Sequence, residues 1–313
     1  MKLTIASGVW PTMITPFTEA GEVDYDALEQ LIEWYIGQGV HGLFAVCQSS
    51  EMFFLSLEER VGIARFVKEK AAGRVQVIAS GHISGRLEDQ VEELKRIAGT
   101  GVDAVVLVSN RLAEEGEYDA VWIRNAETIL AAIPDGVFGI YECPFPYKRL
   151  LSPETLKWCA ETGRFGFLKD TSCDLQQMQD KLEAAAGSHL KLFNANSATL
   201  LASLKLGAAG FSGVMANFHP ELYVRLVEEW NQDEEAAARP QAFLGAASLV
   251  ELQYYPVNAK YHLSRLGLPV TTVSRVKDGS GLKGNHRLEV EQLEALGRMV
   301  KQSLPTAGKP AGY

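Results

Sequence analysis

Along most of the chain, short continuous apolar runs alternate with longer stretches whose apolar positions recur at helical spacing. The runs are Val9–Ile14, Gly42–Val46, Val75–Ala79, Ala104–Val108, Val137–Tyr141, Phe165–Lys169, Leu190–Phe193 and Gly210–Met215. A run without polar alternation suits a strand covered on both faces, as in a parallel sheet flanked by helices. Between the runs, the start signals of helices are readable. Asp24 is placed as an N-cap, with Val23 and Leu28 as a hydrophobic staple, and Ser56 with Glu59 forms a capping box. Ser152–Pro153 pairs a cap with proline at the first helical position. The spacing also predicts helices over Leu87–Ala98 and Tyr118–Ala132. Eight β–α units in succession predict an α/β fold, a (β/α)8 TIM barrel. The rival is a doubly wound open sheet, but no G-x-G-x-x-G follows the first run, against the dinucleotide-binding form.

After about residue 219 the strand signal stops. Glu221–Trp230, Ala236–Glu251, Val257–Leu266 and Glu289–Ser303 read as helices, the first completing the barrel and the rest forming a C-terminal α-helical extension. Thr271–Arg287, rich in Gly, Ser and charge, reads as a loop, and Pro305–Tyr313 as a frayed tail. The expected division is a catalytic barrel over 1–232, a helical region over 233–304 and a flexible tail over 305–313.

Composition narrows the class. With 313 residues, 47% hydrophobic and 22% charged, the chain suits one large core, and a barrel takes about 250 residues plus insertions. The net charge of −9 argues against a nucleic-acid partner, whose binders carry a basic face. Cys47, Cys143, Cys159 and Cys173 are scattered with no C-x-x-C pair, so reduced thiols are expected. No apolar run approaches the about 18 residues of a membrane span, and the N-terminal stretch, cut by Pro11, makes a poor signal peptide. A cytoplasmic protein is the expectation.

In such barrels the active site lies at the C-terminal ends of the strands. Lys169 closes the run Phe165–Gly166–Phe167–Leu168. Pointed inward, it would be desolvated, its pKa would fall below the usual value of about 10.4, and its free amine could add to a carbonyl as a Schiff base. The competing reading is a lysine snorkelling to solvent. Tyr141 ends the neighbouring run, where a phenol can move protons, or can simply be a core aromatic. Ser49 and Ser50 offer hydroxyls and backbone N–H groups to a substrate carboxylate, though serine also favours turns for its own sake. Glu51 reads as an acceptor for loop N–H groups rather than a base. The six histidines show no H-x-x-x-H or H-E-x-x-H spacing, so no metal is expected, and only His82 falls at a strand end that faces the site. Cys143 has no histidine partner in view, which speaks against a nucleophile. Gln48, Phe145, Asn194, Asn196, Ser212 and His82 are candidate substrate-binding positions, and no cofactor is implied.

Taken in order, these residues resemble the dihydrodipicolinate synthase / N-acetylneuraminate lyase family of class I, Schiff-base 2-oxo acid lyases and aldolases. The resemblance rests on Ile14–Thr15–Pro16–Phe17, and on Cys47–Gln48–Ser49–Ser50–Glu51 in place of G-[ST]-[ST]-G-E, followed by Leu55 and Glu58–Glu59. It continues through Ile140–Tyr141–Glu142–Cys143–Pro144, Phe167–Leu168–Lys169–Asp170–Thr171, Gly207–Ala208–Ala209–Gly210 and Val214–Met215–Ala216–Asn217. It implies Lys169 as Schiff-base lysine, Tyr141 as proton-transferring phenol, and Ser49 and Ser50 as holders of the 2-oxo acid carboxylate. It also implies a homo-oligomer, a tetramer or dimer.

The departures are informative. Gln48 replaces the loop's first hydroxyl and cannot relay a proton as a hydroxyl does. Where the synthases carry a tyrosine after strand four that reaches a neighbouring subunit, this chain has Ser109–Asn110–Arg111–Leu112. The arginine that grips a second carboxylate in the synthases is replaced by Pro146, with Lys148 and Arg149 nearby as substitutes of unknown direction. The expectation is therefore an atypical member, an aldolase or lyase that releases or condenses pyruvate on a deoxy sugar acid or related 2-oxo acid. A dehydratase using the same Schiff base, the lysine-pathway synthase itself and a non-catalytic binding or regulatory member are the alternatives.

Overall fold

The computed structural model describes residues 4–304. The expected tail, Pro305–Tyr313, lies outside the described residues. Eight strands form one parallel sheet: β1 (Gly8–Val9), β2 (Gly42–Phe44), β3 (Gln76–Ala79), β4 (Ala104–Val108), β5 (Phe138–Tyr141), β6 (Phe165–Asp170), β7 (Lys191–Asn194) and β8 (Gly210–Phe211). Their order is β1-β8-β7-β6-β5-β4-β3-β2. A parallel bridge between Thr12 and Phe44 joins the two ends, so the sheet curls into a TIM barrel. Helices α1 (Tyr25–Gly37), α2 (Leu57–Ala71), α3 (Leu87–Ala98), α4 (Asp119–Ala132), α5 (Pro153–Glu161), α6 (Leu175–Ala184), α7 (Leu200–Leu206) and α8 (Pro220–Glu229) follow the strands in turn.

The local signals act as the sequence implies. Asp24 accepts from the Ala27 N–H, and Ser56 and Glu59 exchange hydrogen bonds as a capping box. Ser152 caps α5 ahead of Pro153. Strand one differs from expectation. Pro11 has no N–H to give a ladder, so the run Val9–Ile14 divides into a two-residue strand and the Thr12 bridge. The run Gly210–Met215 likewise stops at Phe211 and tightens into a 3-10 turn over Val214–Asn217.

The barrel interior is aromatic. Trp10, Phe44, Phe167 and Phe193 interlock, with Phe167 stacked on Phe193 at 4.4 Å and Trp10 edge-on to Phe167 at 5.5 Å. Gly42 makes room for this layer, since a Cβ there would stand 2.3 Å from the Trp10 ring. Phe44 also meets Tyr141 edge-on at 5.8 Å, so the aromatic layer is the floor of the strand-end mouth.

Beyond the barrel come α9 (Glu234–Ala247), a 3-10 turn over Ser248–Leu252, α10 (Val257–Arg265) and α11 (Gly284–Ser303). The helix expected to run to Glu251 thus ends four residues sooner and tightens. The last helix starts at Gly284, inside the stretch read as loop, because its exposed first turn carries only polar and charged side chains and hides the apolar period. The extension does not hang free: buried Lys260 of α10 reaches Glu51 of the barrel at 2.6 Å.

Candidate active site

Strand register brings the two leading candidates together. Tyr141 and Lys169 are direct partners on neighbouring strands, so their side chains leave the sheet on the same face. Both are almost wholly buried at the strand ends, and the Lys169 ammonium sits 4.4 Å over the Tyr141 ring. Among the described residues Lys169 makes no ion pair with any carboxylate. Burial pushes its pKa below the ordinary lysine value, which favours free amine, while burial raises the Tyr141 phenol well above 10, so it stays a proton donor at neutral pH.

Above the pair opens a cavity of about 580 Å³. Of the residues singled out from sequence, Gln48, Ser49, Phe145, Tyr141, Lys169 and Asn196 line it. Gln48 sits in a 3-10 turn, Gln48–Ser50, and its Oε1 accepts from the Tyr141 phenol at 3.2 Å and from the Cys143 thiol at 3.5 Å. An amide therefore occupies the place from which a hydroxyl would pass protons to Tyr141. Burial raises the Cys143 thiol pKa, which keeps it a neutral donor rather than a nucleophile. Ser49 donates to Thr12 at 3.2 Å and lies beside the Tyr255 phenol.

Four expected substrate positions do not face the cavity. Ser50 is committed to structure: its hydroxyl bridges the carbonyls of Met13 (2.7 Å) and Ala45 (2.9 Å) and accepts from the Cys47 N–H, tying the loop to two strands. His82 donates from Nδ1 to the Gln90 Oε1 (2.9 Å) and accepts at Nε2 from the Val108 N–H (2.6 Å), and burial holds its pKa down to about 4, so it is a neutral core side chain. Asn194 donates to Thr199 and Ser203 and accepts from the Asn196 N–H, which shapes the loop after β7. Ser212 is fully buried behind the lining, where Gly213 forms the wall.

The two replacements considered for the missing arginine part ways. Arg149 turns outward from the site, pairing with Asp119 at 2.9 Å and donating to the Glu114 and Glu117 carbonyls. Lys148 lines the cavity and donates to the Thr171 carbonyl at 2.9 Å. The residues after β4 are used locally, since Asn110 Nδ2 donates to the Cys143 and Phe145 carbonyls and braces the loop after β5.

Behind the lysine–phenol pair lies a second buried lysine. Lys181 of α6 reaches Glu142 and Asp170, each at 2.6 Å, and these carboxylates directly follow Tyr141 and Lys169 in sequence. Glu142 also accepts from the Leu151 and Thr171 N–H groups. The ion cluster thus clamps the ends of β5 and β6 in register.

The extension contributes to the cavity in a way no sequence motif signals. Glu251, Leu252, Tyr255 and Pro256 line the cavity together with the barrel residues. Glu51, expected as a loop acceptor, does take the Arg275 and Val276 N–H groups at 2.6 and 3.2 Å, along with the Lys260 ammonium and the Ser274 hydroxyl. It holds a left-handed backbone conformation, φ 62°, costing about 1–2 kcal/mol for a residue with a Cβ, and this cage of donors offsets that cost.

A parallel eight-stranded barrel with a buried lysine at one strand end, bonded to no carboxylate among the described residues, and a phenol on the next is the arrangement that a lysine Schiff-base lyase or aldolase requires. The chain belongs to the dihydrodipicolinate synthetase family, whose model matches residues 5–292; members of this family form a Schiff base with pyruvate. It is 28% identical over 284 residues to a 4-hydroxy-tetrahydrodipicolinate synthase of Acidithiobacillus ferrooxidans, covering 86% of this chain and 94% of that one. It is 30% identical over 267 residues to the enzyme so named of Ruegeria pomeroyi, covering 83% and 89%. The fold matches the crystal structure of a Bacillus anthracis dihydrodipicolinate synthase with a TM-score of 0.85 at 21% identity, over 97% of this chain and 100% of that one. Another dihydrodipicolinate synthase structure matches with a TM-score of 0.82 at 26% identity, over 93% and 99%. Among the described residues no helix is long and apolar enough to cross a membrane.

Proposed function

We propose that the chain is a pyruvate-dependent Schiff-base aldolase or lyase acting on a 2-oxo acid, with Lys169 as nucleophile and Tyr141 as the proton-transferring phenol. The observation that carries this reading is the pairing of Tyr141 with Lys169, amine over ring at 4.4 Å, under a cavity and with no carboxylate of the described residues bonded to the amine. The free amine adds to C2 of the 2-oxo acid, and loss of water gives an iminium. Breaking the C3–C4 bond then sends its electron pair into the iminium, forming an enamine and an aldehyde. Protonation of the enamine at C3 and hydrolysis release pyruvate and restore Lys169. Ser49, with the N–H groups of its turn, suits the substrate carboxylate.

The natural substrate we infer is a deoxy sugar acid or related 2-oxo acid rather than that of the relatives named as synthases. Pro146 offers no bidentate grip, and Arg149 is spent on Asp119. The same Schiff base would serve a dehydratase. The apolar residues Leu288, Leu296 and Met299, exposed along α11, support assembly into a homo-oligomer. Incubation with pyruvate and borohydride, followed by peptide mapping, tests the reading. A reduced adduct on Lys169 is expected. No adduct with pyruvate or with longer 2-oxo acids overturns it, and efficient condensation with aspartate semialdehyde overturns the choice against the synthase.

A further inference from the structure

The cavity that holds Lys169 and Tyr141 is lined in part by the extension. Its one acidic lining residue is Glu251, on the 3-10 turn Ser248–Leu252. The cavity's other carboxylate, Glu51, is spent on Lys260, Ser274 and two backbone N–H groups. Glu251 differs: among the described residues its carboxylate makes no hydrogen bond or ion pair, and it lines the same cavity as Lys169, Tyr141 and Tyr255. Lys148, the remaining cation of the lining, is bonded to the Thr171 carbonyl. A half-buried carboxyl group without a bonded partner donates its proton when neutral and accepts one when ionised, and its ionisation beside an anionic 2-oxo acid is disfavoured further by a second negative charge on the aldehyde half.

Resting on the Schiff-base reading above, we propose that Glu251 is a catalytic residue contributed by the helical extension, which transfers the proton at the C4 oxygen and selects an uncharged aldehyde half. In condensation, the enamine carbon attacks the aldehyde carbon, the C3–C4 bond forms, and the nitrogen becomes an iminium. The carbonyl electron pair moves to oxygen, which takes the proton of the Glu251 carboxyl and leaves Glu251 as carboxylate. In cleavage the carboxylate removes the C4 hydroxyl proton as the C3–C4 bond breaks. Burial raises the Glu251 pKa, which makes the carboxylate easier to reload with a proton. Gln48 cannot take this part, because an amide holds no transferable proton at neutral pH.

Two partial reactions separate this proposal from the reading beneath it. The first is exchange of the pyruvate methyl protons with deuterium oxide, followed by NMR, which needs Lys169 but no aldehyde. The second is condensation of pyruvate with D-glyceraldehyde, compared with the anionic aldehyde glyoxylate. The wild-type protein should exchange, and should condense glyceraldehyde at least ten times faster than glyoxylate. Glu251→Gln should still exchange pyruvate protons but condense glyceraldehyde about 10²-fold more slowly, the usual worth of a positioned acid–base group, with Glu251→Asp recovering part of the loss. Unimpaired condensation by E251Q overturns the proposal, as does loss of exchange and condensation together in a folded E251Q. A wild-type protein that exchanges but prefers glyoxylate, or takes no neutral aldehyde, overturns it alone. A wild-type protein without exchange overturns the Schiff-base reading and this one with it.

Discussion

Two lysines lie buried on neighbouring sides of the same strand end, and they differ in company. Lys181 stands between two carboxylates, each 2.6 Å away, and its pKa is raised by them against the pull of burial. Lys169 is as deeply buried, faces an aromatic ring, has no carboxylate bonded to it, and its pKa is lowered by burial. The paired cation serves the fold, since it offsets part of the charge of Glu142 and Asp170 and ties β5 to β6. The cation bonded to no carboxylate among the described residues costs stability, and the proposed reading takes it as the reagent, because a desolvated amine is the form that attacks carbonyls. The contrast extends to pH. Lys169 binds its proton more weakly folded than unfolded, so it adds stability as pH rises from its lowered native value toward about 10.4. Lys181 has the opposite sign: its contribution is full below its unfolded pKa and is lost as pH rises through the raised native value.

This contrast can be broken most sharply at Lys169. Lys169→Met should abolish turnover, by about 10⁴-fold or more as for other covalent nucleophiles, while leaving the melting temperature unchanged or higher. A drop in both would mean that Lys169 is structural. Lys181→Met should do the reverse, costing about 3–5 kcal/mol in denaturant unfolding because two buried carboxylates lose their counter-charge. Adding Glu142→Gln and Asp170→Asn should restore most of that. Tyr141→Phe keeps the ring under the amine and removes only the hydroxyl; kcat should fall by about 10²-fold with little change in fold. The smallest effect concerns pH. The acid limb of kcat/KM follows the free Lys169 amine, so it should lie below the ordinary lysine range, and removing the Glu251 charge, which favours the ammonium, should move it lower still.

Much of the barrel could be read along the chain, for reasons visible in particular residues. The run Ala104–Val108 and the stretch Leu87–Ala98 match β4 and α3 residue for residue, because both are bounded by polar or glycine breaks. Strand one is shorter than the apolar run Val9–Ile14, since apolarity alone does not register the missing N–H of Pro11. In the site, Lys169 and Tyr141 were legible because each closes an apolar run on consecutive strands, and equal strand-end position implies contact. Ser49 and Ser50 were not separable in sequence. Their side chains diverge in a tight turn, one toward Thr12 and the cavity, the other into the carbonyls of Met13 and Ala45. His82 and Asn194 sit at strand ends but point away from the mouth, an orientation that depends on register rather than composition. The contribution of the extension was invisible, because Glu251 and Tyr255 reach the cavity only once α9 and α10 fold back. The one local signal was a charge interrupting Leu249–Val250–Glu251–Leu252.

The most direct test is the pH dependence of borohydride trapping with pyruvate, resolved lysine by lysine in the mapped peptides, with Lys181 and Lys260 as internal controls. The expected result is an adduct on Lys169 alone, with a rate that rises through a midpoint clearly below the ordinary lysine pKa of about 10.4. An adduct spread over several lysines, or a Lys169 midpoint at the ordinary value, would contradict the claim that the unpaired buried amine is the reagent.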